Sequence, residues 1–501
     1  MRPIQPVSNP ALHRSRVRRR FLSIAAHIAL FAAVATPATP IGVGVACAQA
    51  AEGHAVAREA TTDDPAAPVA PPGEALPSEE GPPGKAIPQQ REEYTGPERD
   101  QVFFEAYWDH GIKYRLLGAI RIAQEGHWTA PYLTRDPVVI GELGVNLQVD
   151  AAAYVEAQGI ASVPDKVDVR RSFITLRGTF FNFLYPIDFS IEMGAITQKF
   201  FVNESFLQLN ELPYVGSLKL GQYTAPVSLD ALTSSRDTTF LERASPVQAF
   251  SPGTQAGIEL ADHSRAKRLT WAVGLFADGQ NGEVGDASES FARVVGRLSW
   301  VPLIDDTPGK PALLHLGIAG SYLFSSNNTV RYQSRPESFL APIAIDTGVI
   351  DASNGFIVAT EAAFVSGSLS GQFEYLHAFA NGGSAGSVDF PGLYLQVNGF
   401  LTGEHRPYNY TKGVFGQVIP HHPISYSNKT WGALEWAARY SYTDLDSGPV
   451  RGGKMHMLTA GWNWYWNRYI RWQLDYGLSL IDNGALDGNL HIFQLRMQIV
   501  A

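Results

Sequence analysis

Residues 434–443 alternate without a break. Leu434, Trp436, Ala438, Tyr440 and Tyr442 fall on one side, and Glu435, Ala437, Arg439, Ser441 and Thr443 on the other. A period of two is the spacing of a β-strand. Residues 291–301 divide in the same way, with Val294, Leu298 and Trp300 opposed to Arg293, Arg297 and Ser299. So do residues 470–480, where Ile470, Trp472, Leu474, Tyr476, Leu478 and Leu480 oppose Arg471, Gln473, Asp475 and Ser479. From about Asp109 the chain is a series of such segments of roughly ten residues, separated by turns. A soluble sandwich also alternates, but its core face is aliphatic and its charged face meets bulk water. Here one face carries Trp and Tyr near strand ends, and the other carries Arg, Glu and Asp at mid-strand. A lipid exterior around a wet interior demands that combination. Backbone groups in lipid also demand closure without edges, and single-chain barrels of this kind have an even strand number. The expected fold is all-β: a transmembrane antiparallel β-barrel of about 16 strands within residues 99–501.

Composition agrees. Only 17% of residues are charged, with 20 Tyr and 10 Trp. Mean hydropathy is −0.08, because alternation averages away the apolar face. The net charge is −9, and the whole excess lies after residue 99, which gives nucleic acid nothing to bind. The lone cysteine, Cys47, precedes the barrel, so the barrel has neither disulfides nor thiol chemistry.

Residues 1–50 have the form of a secretory signal. Arg14, Arg16, Arg18, Arg19 and Arg20 make a charged region, residues 21–46 are apolar, and Ala48-Gln49-Ala50 is a small-residue exit, which places cleavage after Ala50. A membrane anchor is the alternative, disfavoured by Pro37 and Pro40. Lipidation of Cys47 is another, disfavoured by Gly44 where a branched apolar residue is wanted. Residues 51–98, rich in Ala, Pro and Glu, lack the apolar content for a core and form a disordered spacer.

One connection is over-long. After the strand that includes Leu218, Lys219, Leu220 and Gly221, Pro226 stops the alternation. A polar run carrying Arg236, Asp237, Glu242 and Arg243 then leads to the turn Ser251-Pro252-Gly253. Connections of this length between short strands are usually functional or disordered, and this one mixes apolar and charged residues as a packed loop does. Elsewhere, the tight Asn467-Arg468 turn suits the periplasmic side, and the longer stretches 444–454 and 403–430 suit the outside.

Several stretches carry a family likeness. They are VRRSFITLRGTF (169–180), GSLKLGQYTAPVSLDALTSSRDTTFLER (216–243) and the AFSPG turn before Thr254. LTGEHRPYNY (401–410), GVFGQVIP (413–420) and WGALEWAARYSYTDLD (431–446) follow. Together they resemble the phosphate-selective porins O and P. The resemblance implies an outer-membrane channel of 16 strands, trimeric, in a Gram-negative-type bacterium, in which the long loop folds into the lumen and basic residues pass phosphate-like anions. By that likeness Arg170 and Arg171 match a paired wall arginine, Arg293 and Arg297 match wall basics, and Arg236 matches a loop basic after a Ser-Ser pair. Lys219 and Arg243 complete the candidate path. Outer-membrane lipid is the expected surround, and no cofactor or metal is expected.

Arginine suits the task because its planar, always-charged fork matches phosphate oxygens, and passage needs several sites of moderate strength. Arg171 and Arg177 share a face but stand about 20 Å apart at roughly 3.3 Å per residue, so one ion touches only one of them. The same arginines serve equally well as ordinary wall residues paired with Asp230, Asp237, Glu242 or Asp262. A general, weakly selective porin and a structural or adhesive barrel stay open beside the anion channel. Enzymatic readings lack a constellation: His421-His422 has no spaced acid and sits between prolines, and His315 and His456 have no nucleophile in register.

Overall fold

The computed structural model describes residues 103–108, 112–117, 123–124, 127–128 and most of 139–501, with gaps at 158–162, 182–183, 197–198, 278–290, 306, 308, 326, 385 and 484–486. The expected signal and spacer lie outside the described residues.

Among these, sixteen strands close a ring. The first eight are β1 (Val139–Ala157), β2 (Lys166–Phe180), β3 (Ile187–Ile196), β4 (Lys199–Leu212), β5 (Gly216–Thr224), β6 (Thr254–His263), β7 (Leu269–Ala277) and β8 (Phe291–Asp305). The second eight are β9 (Ala312–Phe324), β10 (Asn354–Ser366), β11 (Leu369–Asn381), β12 (Ser387–Phe400), β13 (Ala433–Ser447), β14 (Val450–Tyr465), β15 (Ile470–Asp482) and β16 (Gly488–Val500). Each pairs antiparallel with the next. β16 returns to β1, from Asn489 opposite Ala157 to Val500 opposite Asn146. The lower end of β1 projects past β16. A hairpin of Phe103–Trp108 and Ile112–Leu117 covers that edge by pairing with residues 139–143. The alternating region therefore starts in this hairpin, and the ring itself starts at Val139.

The alternation points as the sequence requires. On β8, Val294, Leu298 and Trp300 are exposed on the outside, while Arg293, Val295, Arg297 and Ser299 are buried on the inside. Leu474, Tyr476 and Leu480 on β15 and Tyr440 on β13 are likewise exposed, against buried Asp475 and Arg439. An apolar band of this extent is costly in water and natural in lipid.

Three inserts enter the lumen. Residues 225–253 join β5 to β6 and carry two short helices, α1 (Leu229–Leu232), capped by Ser228, and α2 (Ser245–Phe250), with a proline in its first turn. Residues 325–353 join β9 to β10 through two small ladders. Both enter from the end opposite the chain termini of the ring. Residues 401–432 enter from the terminal end. The segments meet: Leu229 of the first and Phe415 of the third share one apolar cluster with Val301, Leu313, Ala363 and Val365. Phe250 of the first packs edge-on against Tyr332 of the second at 5.5 Å between ring centroids.

This corrects two expectations about connections. Residues 403–430 belong to the same end as the Asn467-Arg468 turn, and Gln417 donates to the Arg468 carbonyl at 2.6 Å. The two cannot lie on opposite sides, because strand parity returns β12 and β14 to one end. Residues 444–454 are mostly strand, with Ser447 opposite Val450 across a two-residue turn.

Candidate functional site

The wall of the site begins with an irregularity. On β2, Arg171 lies opposite Gln148 and Val169 lies opposite Val149, so Arg170 is an extra residue between them. A bulge of this kind re-aims side chains. Both members of the Arg170-Arg171 pair consequently reach inward, against strict alternation. Arg171 Nη1 donates to Gln148 Oε1 at 2.8 Å. Arg170 grips Glu242 of the first insert with two bonds, at 2.8 and 3.2 Å.

Glu242 is a fastening point. Arg496 on β16 also donates to it at 2.8 Å, and holds Asp150 of β1 with two bonds at 2.6 and 2.7 Å. Burial alone would push the Glu242 carboxyl up. Arg170 and Arg496 overcome this and hold it well below the usual carboxylate range. The insert is fastened along its length. Asp475 on β15 accepts from the Leu241 N–H at 2.9 Å. Asn463 on β14 donates to the Thr239 carbonyl at 2.8 Å, and Arg471 to the Thr238 carbonyl at 2.9 Å. Glu374 on β11 accepts the Leu229 and Asp230 N–H groups at 3.2 and 2.8 Å. These bonds press the insert against β11 and β14–β16. Its other side looks across the lumen.

What remains is a cavity of about 1660 Å³ between the inserts and the wall from β1 to β10. All seven sequence-selected residues line it: Arg170, Arg171, Lys219, Arg236, Arg243, Arg293 and Arg297. Their settings differ. Arg297 is committed to Glu361 at 2.6 Å and donates to the Gly413 carbonyl of the third insert at 2.9 Å. Arg293 donates to Ser321 Oγ at 3.0 Å. Arg243 donates to the Thr233 carbonyl at 3.1 Å and lies 4.0 Å from Asp230. The Lys219 ammonium sits 4.0 Å from the ring centres of both Phe206 and Tyr223, an arrangement that stabilises a cation without neutralising it. Arg236 has only a long 3.4 Å side-chain bond to Ser234 Oγ. Among the described residues no carboxylate oxygen comes within 4.0 Å of Arg171, Lys219 or Arg236. Of the carboxylates expected to neutralise the loop, Glu242 turns to the wall and Asp230 reaches Arg243. Burial pushes the Asp237 carboxyl up, with Arg236 opposing.

Four lining basics were not singled out from the sequence, namely Lys113, Arg331, Arg335 and Lys412, and Arg177 was read only as sharing a face with Arg171. Lys113 and Arg177 both pair with Glu142. Arg331 and Arg335 sit in the second insert, whose inward course leaves no mark in the alternation. Lys412 comes two residues after the LTGEHRPYNY stretch, and that stretch was the available signal. Among the described residues the cavity is thus lined by 12 Lys and Arg and by 7 Asp and Glu, in a chain of net charge −9. Positive charge is concentrated where the lumen is open.

Comparison with known proteins adds a lineage. A protein of Caulobacter vibrioides described as uncharacterized is 29% identical over 300 residues, covering 56% of this chain and 58% of that protein, so the match spans under two thirds of the relative. An OmpT loop L8 deletion mutant from Vibrio cholerae superposes with a TM-score of 0.48 at 9% identity, over 73% of this chain and 100% of the other. An anion-selective porin from Comamonas acidovorans gives 0.45 at 11%, over 72% and 100%. Residues 142–500, from the first strand of the ring to the last, match the family model described as phosphate-selective porin O and P. A closed sixteen-strand ring, a lumen narrowed by inserts and this match over most of the chain lead to one conclusion: the chain belongs to the phosphate-selective porin O and P family and is an outer-membrane channel.

Proposed function

We propose that the channel passes phosphate and similar small anions passively across the outer membrane. The observation that carries this is the local charge: twelve basic against seven acidic residues around the open lumen of an acidic protein. Arg171, Lys219 and Arg236 are the basics to which we assign the path, because each faces the cavity without a carboxylate partner within 4.0 Å. Arg170 and Arg297 are held by Glu242 and Glu361 and act as walls and fasteners. Low-affinity steps of this kind let an anion change partners without stalling. The working assembly is the homotrimer that the family implies, exported through the leader and cleaved after Ala50. A weakly selective pore is the second reading, favoured by the seven lining carboxylates.

Planar-bilayer recording of the purified channel under a KCl gradient tests this. An anion-selective reversal potential, with chloride current reduced by added phosphate, is expected. Potassium preference, or indifference to phosphate, would sink the proposal.

A further inference from the structure

The acids around the cavity are gathered mainly on one arc. Asp188, Glu192, Glu204, Glu211, Glu259 and Asp262 all belong to the wall strands β3, β4 and β6. Among the described residues the three inserts contribute Arg236, Arg243, Arg331, Arg335 and Lys412 to the lining and no carboxylate. The other lining cations lie on the wall and its hairpin: Lys113, Arg170, Arg177 and Arg297 are paired with other carboxylates, Arg293 bonds Ser321, Arg171 bonds Gln148, and Lys219 stands between β4 and β6. The wall acids are not spent on ion pairs. Asp188 accepts from Thr179 and Asn210 at 2.6 and 2.8 Å, and Glu192 from Thr175 and Asn203 at 2.8 and 2.7 Å. Among the described residues, no Lys or Arg nitrogen lies within 4.0 Å of any of these six. Both groups line the same cavity.

Lys219 apart, the insert cations and the acids of the wall are held on separate elements around the cavity and do not pair. The first insert is bonded to β11 and β14–β16, so its cations cannot cross to the acid wall. The result is a field directed across the lumen, strongest where the walls exclude bulk solvent. A simple anion gains at the insert cations and at Arg171 and Lys219, and nothing from the acid arc. A solute with an anionic end and a cationic end gains at both, and enters already oriented.

We propose that the preferred solutes are dipolar anions, namely small phosphonates or phosphate esters that also carry an ammonium group. This rests on the anion-channel reading above and narrows its substrate class.

The test compares 2-aminoethylphosphonate with 2-hydroxyethylphosphonate, which match in size and differ in the ammonium. Entry into liposomes containing the purified mature channel is measured at 50 mM salt. The amino compound is expected to enter about fivefold faster, the scale of one solvated ion contact. Raising the salt to 1 M, where the screening length falls to about 3 Å, is expected to abolish the ratio in the unaltered protein. The variant combining Glu192→Gln, Glu204→Gln and Glu259→Gln is expected to equalise the two rates. Equal rates in the unaltered protein overturn the proposal and leave the anion channel standing. A ratio that survives both high salt and the triple variant also overturns it. Entry of neither compound, with cation-selective current, overturns both readings.

Discussion

The two halves of the barrel wall share one pattern and have opposite fates. Along β2–β8 much of the inward face looks onto open lumen, and the Arg177 and Arg170 side chains keep 46% and 21% exposure there. Along β10–β16 the inward face is sealed by the inserts. The side chains of Arg496, Glu361 and Arg439 are 0–2% exposed, yet each has a charged partner. Alternation of polar and apolar residues describes both halves equally. On one side it makes a channel wall, and on the other a polar core satisfied by loops. The difference teaches that in this barrel the buried, paired charges lie mainly on one arc and those available to solutes on the other, with Arg170 and Arg297 as fasteners on the open arc.

That separation can be broken in order of expected effect. Arg496→Ala should be the most damaging change, because Asp150 and Glu242 would be left buried without their cation. A loss of about 3–5 kcal/mol in denaturant unfolding is expected. A loss under about 1 kcal/mol would erase the distinction between arcs. Next comes Glu242. Its pKa is depressed in the folded state, so its stabilising contribution is complete above the ordinary value of 4.5 and fades as pH falls through the folded value. Glu242→Gln should lower stability at neutral pH by about 1–3 kcal/mol and remove that part of the acid limb of the unfolding curve. Unchanged acid behaviour would contradict the fastening role.

On the open arc, Arg236→Gln should change stability by no more than about 0.5 kcal/mol while weakening phosphate block of chloride current about two- to fivefold. The reverse outcome, a destabilised channel with intact block, would place Arg236 with the structural residues. Arg331→Gln should do least. Its pair with Asp346 is exposed at 37% and 26%, and a shift within about 0.5 kcal/mol is expected in the same unfolding assay.

Much of the fold was legible because a period of two runs through most of each long strand, apart from local bulges. The outward and inward sets of β8, β13 and β15 were read correctly from the residues alone. The site was legible by residue type and not by geometry. Arg170 and Arg171 both face inward only because of the bulge beside Gln148, and a bulge leaves no mark in the alternation. Glu374 and Glu337 could not be read as fasteners. Their partners, the Leu229 and Ser245 N–H groups, are 145 and 92 residues away in sequence. The stretch 403–430 was assigned to the wrong end because length alone does not count strands. Its Arg406, buried against Phe415 at 3.7 Å and donating to Gln372 at 2.9 Å, shows that it serves as packing and not as an outer loop.

The bond from Arg496 to Asp150 joins residues 346 positions apart, at the seam where the last strand meets the first. The same guanidinium holds Glu242 and the Leu241 carbonyl of the first insert. Contacts this distant in sequence form late, after nearer strands have zipped. One guanidinium therefore couples the shutting of the cylinder to one anchor of its internal loop. A chain interrupted before β16 would lose the seam and this anchor together, while the anchors to β11, β14 and β15 would remain.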